Sequence, residues 1–287
     1  MKQLLILSGK GGTGKTTISS AFIKLAKAKA FADCDVDAPN LHLIMKGSTE
    51  PEKSDYYGLP KAKIHTSICT ECDLCRQNCA FDAIYYDGEY KVDNFACEGC
   101  SLCEVLCPVD AISMEPDIAG HLMLYKDDLV FSTARLKMGS GNSGLLVSKV
   151  KSQMKSAAED VELSIIDGSP GIGCPVIASI SGVDMVLIVA EPSISGISDM
   201  DRIVNTVKKF QVPLAICINK YTTNIDNTRK IEDYCKNEAL PMIGKIPFDK
   251  EAIKAVNNGK SIVDIPCKSG LVVKDIFKQT MDLLFNQ

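Results

Sequence analysis

Hydrophobic residues fall along this chain in short unbroken runs separated by longer stretches of helical period. QLLIL (3–7), AFADCD (30–35), LSIID (163–167), MVLIVAE (185–191), PLAICIN (213–219) and MIGKIP (242–247) read as strands. Helical segments lie between most of them, the first beginning near Lys15 and running through TTISSAFIKLAKAK. A strand buried on both faces shows no polar alternation, and strands alternating with helices build a parallel sheet covered on both sides. The pattern predicts an α/β fold.

Residues 57–116 break that rhythm. Within them CTECDLCRQNCAFDAI (69–84) and CEGCSLCEVLCPVDAI (97–112) agree at eight of sixteen positions, all four cysteines included. Duplication is the economical explanation, and it defines a small domain, 57–116, inserted after the second strand. The α/β domain then comprises 1–56 and 117–287.

Composition narrows the function. With 46% hydrophobic and 24% charged residues and a formal net charge of −4, the chain suits neither disorder nor a nucleic-acid partner. No apolar run approaches the ~20 residues that span a bilayer. The N-terminal MKQLLILSGKGG is also short of the ~7 to 15 apolar residues of a secretory signal, so a cytoplasmic protein is expected. Thirteen cysteines in a reducing compartment are more often metal ligands or nucleophiles than disulfides.

GKGGTGKT, Gly9 to Thr16, fits G-x-x-x-x-G-K-[ST] and lies between an apolar strand and a helix, the context in which that loop binds phosphate. Its glycines let backbone N–H groups turn inward at a helix N-terminus, where the dipole also favours anions. Gly11, Gly12, Thr13, Gly14, Lys15, Thr16 and Thr17 form the expected cradle, with Lys15 on the β and γ phosphates and Thr16 on Mg²⁺. Lys10 makes the loop K-G-G-x-G-K-[ST], which resembles the deviant Walker A of the MinD, ParA, nitrogenase iron protein and arsenite-pump ATPases. That resemblance implies an ATP-dependent homodimer in which Lys10 reaches the partner's nucleotide.

ADCDVDAPN puts Asp33, Asp35 and Asp37 at the C-terminal end of the second strand, the edge where α/β sheets bind ligands. By resemblance Asp35 is the first-switch aspartate that orients the attacking water, and Asp33 is the aspartate two residues before it. Asp37 reads equally as a turn cap. LSIIDGSPGIG resembles a Walker B strand and second switch, with Asp167 near the magnesium. Asn219 in CINK, and Pro247 and Asp249 in IPFD, match positions that line the base in the same group. The expected catalytic set is Lys10, Lys15 and Asp35.

Each cysteine repeat reads C-x-x-C-x-x-C-x-x-x-C. Zn²⁺ sites draw four ligands as two pairs, so a third cysteine two residues beyond a pair suits a cubane better. The segment resembles a bacterial two-cluster ferredoxin, in which the fourth cysteine of each run ligates the other cluster. The resemblance implies one [4Fe–4S] cluster on Cys69, Cys72, Cys75 and Cys107, and a second on Cys97, Cys100, Cys103 and Cys79. Pro108 follows the second run, whereas Ala80 follows the first, a departure that loosens a turn and removes no ligand.

Taken together, the chain resembles the MinD-superfamily ATPases that contain an inserted ferredoxin domain. The fold implied is a P-loop NTPase with a mostly parallel sheet, helices on both faces and a small α+β insert. Its cofactors would be ATP or ADP, Mg²⁺ and two [4Fe–4S] clusters. The leading expectation is a nucleotide-gated dimer that passes electrons to a redox or metalloenzyme partner. Two others stay open: an ATPase that inserts clusters or metal into another enzyme, and a positioning ATPase of the MinD type with structural clusters. The C-terminal LVVKDIFKQTMDLLFNQ balances two lysines against two aspartates and reads as a helix packed on the core, not a basic membrane anchor. Cys174 stands seven residues after Asp167, the separation at which the nitrogenase iron protein carries a cluster ligand; metal binding at a dimer axis and simple core packing are both open there. Cys34, Cys217, Cys235, Cys267, His42, His65 and His121 show no ligand spacing.

Overall fold

A computed structural model describes residues 1–45 and 50–286. In chain order its elements begin with β1 (Lys2–Leu7), α1 (Lys15–Ala26), β2 (Ala30–Asp33), β3 (Glu52–Tyr57) and β4 (Lys61–Ile64). Next come α2 (Leu74–Gln77), β5 (Ile84–Tyr86), β6 (Tyr90–Val92), α3 (Leu102–Leu106), β7 (Ile112–Glu115), β8 (Ile118–Lys126) and β9 (Val130–Leu136). The rest are α4 (Ser143–Ala157), β10 (Leu163–Asp167), α5 (Cys174–Ile180), β11 (Met185–Ala190), α6 (Ile194–Lys209), β12 (Leu214–Ile218), α7 (Ile225–Asn237), β13 (Met242–Lys245), α8 (Lys250–Asn257) and α9 (Lys268–Phe285).

The chain divides into two compact units. One comprises Met1–Lys53, Leu122–Arg135 and Gly144–Gln287; the other comprises Ser54–His121 and Leu136–Ser143.

The large sheet runs β13-β12-β11-β1-β10-β2-β9-β8-β3, and every pair from β13 through β9 is parallel. The apolar runs account for this arrangement: all six residues of β11 and all five of β12 are buried, as strands covered on both faces must be. Chain order reverses about β1, which lies between β10 and β11, so the C-terminal ends of β1, β10 and β2 meet at a topological switch point. On one side Phe22 of α1 packs edge-on against Phe277 of α9 at 5.2 Å, and Phe31 stacks on Phe131 at 4.8 Å. The buried rings of Phe22, Phe31 and Phe131 each contribute about 2 to 3 kcal/mol by leaving water, and the half-buried Phe277 less. Val273, Ile276, Thr280 and Leu284 form the buried face of α9, so the C-terminal helix packs on the core. Among the described residues no helix is long and apolar enough to cross a membrane.

β8 and β9 are absent from the apolar-run reading, and β9 explains why. VFSTARL carries two hydroxyls and an arginine, yet Ser132 is fully buried because its Oγ donates to the Val150 carbonyl of α4 at 2.8 Å. A strand that buries hydroxyls, here Ser132 hydrogen-bonded and Thr133 with no partner among the described residues, does not read as hydrophobic.

In the second unit the repeat is visible in the backbone. β4 pairs antiparallel with β7, and β5 with β6. Asp73 before α2 and Ser101 before α3 take the same left-handed conformation, φ 65° and 63°. Cys79 Sγ accepts from Ala83 N–H at 3.4 Å, and Cys107 Sγ accepts from Ala111 N–H at 3.2 Å. A small apolar core of Ala62, Ala83, Ile84, Tyr90 and Ile112 joins the two halves.

Candidate nucleotide site and cysteine cavities

The loop after β1 turns into α1 at Gly14, whose φ of 94° is left-handed. A Cβ there would lie 2.2 Å from Asn219 Nδ2, so glycine is required on both conformational and steric grounds. Asn219 itself, at the end of β12, donates to the Thr13 carbonyl at 2.6 Å. Lys220 Nζ donates to the Gly12 carbonyl at 2.7 Å. The loop is thus braced through its carbonyls from the end of β12.

Asp167 at the end of β10 is the hub beneath it. It is fully buried and accepts from Lys15 Nζ, Thr16 Oγ1 and Ser19 Oγ, each at 2.7 Å. Burial opposes the charge on Lys15, but Asp167 and Asp33 outweigh it and hold the ammonium above its usual pKa. Ser19 was not anticipated from sequence. Its position one turn after Lys15 on α1 was the available signal, since residues four apart share a helix face.

Asp33 is buried beside this pair, and burial, reinforced by Asp167, pushes its carboxyl up to about 7. Its oxygens accept backbone N–H bonds from Asp35, Asn40 and Leu41, so it organises the loop that carries Asp35. Burial also raises the pKa of Asp35. Asp35, Asp37, Lys10, Lys15, Thr16 and Ser169 line a cleft of about 1180 Å³. Asn219, Pro247, Phe248, Asp249, Ile253 and Ile262 line an adjoining, more apolar one. Asp249 caps α8 through Glu251 N–H and accepts two bonds from Ser269, which fixes that loop.

A nucleotide and Mg²⁺ fit these residues. Thr13 Oγ1 is buried without a hydrogen-bond partner in the described residues, a hydroxyl that a phosphate oxygen would satisfy. Thr16 and Asp167 supply the hard oxygen donors that Mg²⁺ takes. Lys10 is engaged within its own chain: its Nζ donates to Ser193 Oγ at 2.9 Å and Ser195 Oγ at 3.2 Å, with Glu191 at 3.7 Å.

In the second unit Cys69, Cys72, Cys75 and Cys107 line one small cavity, and Cys79, Cys97, Cys100 and Cys103 line another. The fourth cysteine of each run therefore faces the cavity of the other run. Each set has one buried, one exposed and two half-buried members. Among the described residues no group of three or more His, Cys, Asp or Glu side chains is arranged to hold a single metal ion. A lone tetrahedral ion needs its thiolates within ~4 Å of one another, whereas a cubane binds each thiolate to a different iron and spreads them further. Four sulfur donors around one cavity are chemically suited to the latter.

Cys174 begins α5 and is exposed, so core packing does not account for it. Cys34, Cys217, Cys235 and Cys267 are buried. His65 bonds Ser113 and His121 bonds Asp55.

Comparison with known proteins agrees with the first unit. The profile of the CobQ/CobB/MinD/ParA nucleotide binding domain matches residues 4–262. An uncharacterized protein of Methanocaldococcus jannaschii is 32% identical over 98% of this chain and 97% of its own length. The septum site-determining protein MinD of Bacillus subtilis is 22% identical, covering 92% of this chain and 82% of its own. Among solved structures, the septum site-determining protein MinD of Pyrococcus horikoshii complexed with Mg-ADP superposes with a TM-score of 0.60 at 17% identity, covering 99% of this chain and 98% of that one.

Proposed function

We propose that this chain, which belongs to the CobQ/CobB/MinD/ParA nucleotide-binding domain family, is a MgATP-driven dimeric switch whose second unit carries two [4Fe–4S] clusters. The chain is an ATPase of the MinD/ParA family with a P-loop α/β fold.

The observation that carries the switch reading is the Asp167 hub. One carboxylate reads Lys15, Thr16 and Ser19 together, so a ligand that draws Lys15 and Thr16 onto phosphate and metal must also reset the segment after β10. Thr16 and Asp167 would hold Mg²⁺, which when bound offsets charge on the β and γ phosphates. Lys15 and the loop amides neutralise and orient the same oxygens. Asp35, on a loop pinned by Asp33, positions the water for in-line attack. Lys10, freed from Ser193 and Ser195, is long enough to serve a second copy's nucleotide.

The cluster part rests on the crossed lining of the two cysteine cavities. Cys69, Cys72, Cys75 and Cys107 would hold one cluster and Cys97, Cys100, Cys103 and Cys79 the other. Such clusters would supply one-electron transfer, and electron delivery to a protein partner is then one output of the switch. Relatives such as the septum site-determining proteins MinD of Bacillus subtilis and Helicobacter pylori favour a second output, a positioning ATPase with structural clusters, better than an electron carrier.

Anaerobically purified protein is expected to contain iron and labile sulfide for two [4Fe–4S] clusters and to hydrolyse ATP with Mg²⁺. Lys15→Ala abolishes turnover and leaves the visible cluster absorbance intact. Absence of iron removes the cluster part and leaves the positioning output; loss of the clusters in Lys15→Ala contradicts the separation of the two sites.

A further inference from the structure

α5 is too short to stand alone. It spans seven residues, Cys174–Ile180, and follows directly from the 168–173 loop after Asp167. A helix leaves its last four carbonyls without intrahelical partners, and a short helix is least able to tolerate that loss. Here a side chain from a different helix takes two of them and the carbonyl of the capping Ser181, while backbone N–H groups of Ser181 and Val183 take those of Ile177 and Ile180. Lys151 Nζ of α4 donates to the carbonyls of Ala178 at 3.2 Å, Ser179 at 2.6 Å and Ser181 at 2.6 Å. An ammonium at a helix C-terminus is also favoured by the helix dipole. At the other end of the same pair, Gly144 of α4 lies so close to Cys174 that a Cβ would meet its carbonyl oxygen at 3.0 Å and its Cβ at 3.1 Å. α5 is therefore held to the middle of α4 by Lys151 near its C-terminus and closely approached by Gly144 at its N-terminus.

α4 has a second fastening. Ser132 Oγ of β9 donates to the Val150 carbonyl next to Lys151, and Gln153 donates to the same hydroxyl. α4 is also where the chain leaves the second unit, whose last segment ends at Ser143. We infer that Lys151 is a positioning residue that makes α4 follow α5, so that the nucleotide state read at Asp167 reaches the helix joined by the chain to the cysteine-bearing unit.

The inference rests on the reading that MgATP binds at Lys15, Thr16 and Asp167. Without Lys151, α5 could shift on nucleotide exchange while α4 stayed in place. A merely structural cap would instead lower stability equally in every nucleotide state.

The test is hydrogen exchange by mass spectrometry on the full chain with Mg-ADP and with a Mg-bound non-hydrolysable ATP analogue, nucleotide affinity being measured alongside. In the wild type, α4 amides are expected to exchange at rates that differ between the two states by roughly tenfold, within the usual range of coupling between sites. Lys151→Met removes that difference in α4 while the 168–173 loop still responds and nucleotide affinity is unchanged. Lys151→Arg, which keeps the cation and its donors, restores it. Gly144→Ala, which presses on Cys174 without touching the carbonyls, shifts α4 exchange in both states. The inference is overturned if Lys151→Met keeps the wild-type difference in α4, or if the wild type shows none there while its loop responds. Failure of the wild type to bind either nucleotide would instead overturn the nucleotide reading itself. If Lys151→Met does not fold, Lys151→Arg and Gly144→Ala decide: a Gly144→Ala chain with wild-type α4 exchange in both states contradicts the fastening.

Discussion

At Asp167 three side chains from one helix meet a carboxylate that has no contact with water, and the geometry leaves little slack. Ser19→Ala removes one of the three donors while Lys15 and Thr16 remain. A hydrogen bond to a buried charge contributes about 1.5 to 3 kcal/mol, so denaturant unfolding should reveal a loss of that order, and the KM for MgATP should rise. An unchanged unfolding midpoint would place Ser19 outside the hub. Asp33 gives a pH test. Its folded-state pKa of about 7 lies above the ordinary ~3.9 of an aspartate. Between those values the folded chain binds more protons than the unfolded one, so this group's stabilisation is complete below pH ~4 and is lost as pH rises through 7. Without nucleotide or Mg²⁺, Asp33→Asn should gain in Tm relative to wild type on going from pH 5 to pH 8; a constant difference would contradict the burial argument. Lys15, Thr16 and Asp167 were legible in sequence because loop and strand motifs fix their spacing. Ser19 and the bracing Lys220 were not read: Ser19 is marked by no more than its i+4 spacing from Lys15 on one helix face, and a lysine after a strand has no signature until folding brings it to the loop.

Among the elements, six strands could be read from their apolar runs; β2, β11 and β12 are buried throughout, while the edge strand β13 keeps Met242 and Lys245 exposed. β9 could not, since Ser132 and Thr133 occupy buried positions that the run criterion reserves for hydrocarbon. The same hydroxyl makes β9 testable. Ser132→Ala strips the bond to the Val150 carbonyl and the partner of Gln153, and should lower stability by about 1 kcal/mol in urea unfolding. Equal stability would mean that packing alone holds α4 on the sheet. α5 was invisible for a different reason: seven residues are too few for periodicity to register, and its carbonyl cap comes from a lysine more than twenty-five positions earlier.

For the whole molecule, the cysteine repeats marked residues 57–116 as a duplicated stretch, and the matched left-handed residues at 73 and 101 show the same repeat in the backbone. The return of Leu136–Ser143 to the second unit was not legible, because no motif marks a segment that joins by packing. The crossed cavities predict the effect of single changes. If the proposed clusters are present, Cys79→Ser should impair that of the second run and Cys107→Ser that of the first, each lowering iron by up to half. If Cys79→Ser instead damaged the site of Cys69, Cys72 and Cys75, the crossed assignment would be wrong.

The central claim is that occupancy of the nucleotide cleft changes the state of the cysteine-bearing unit. Potentiometric titration followed by electron paramagnetic resonance, run on one preparation with Mg-ADP and with a Mg-bound ATP analogue, measures that linkage directly. The account predicts two one-electron clusters whose midpoint potentials differ between the nucleotide states; identical potentials with both nucleotides bound would contradict it.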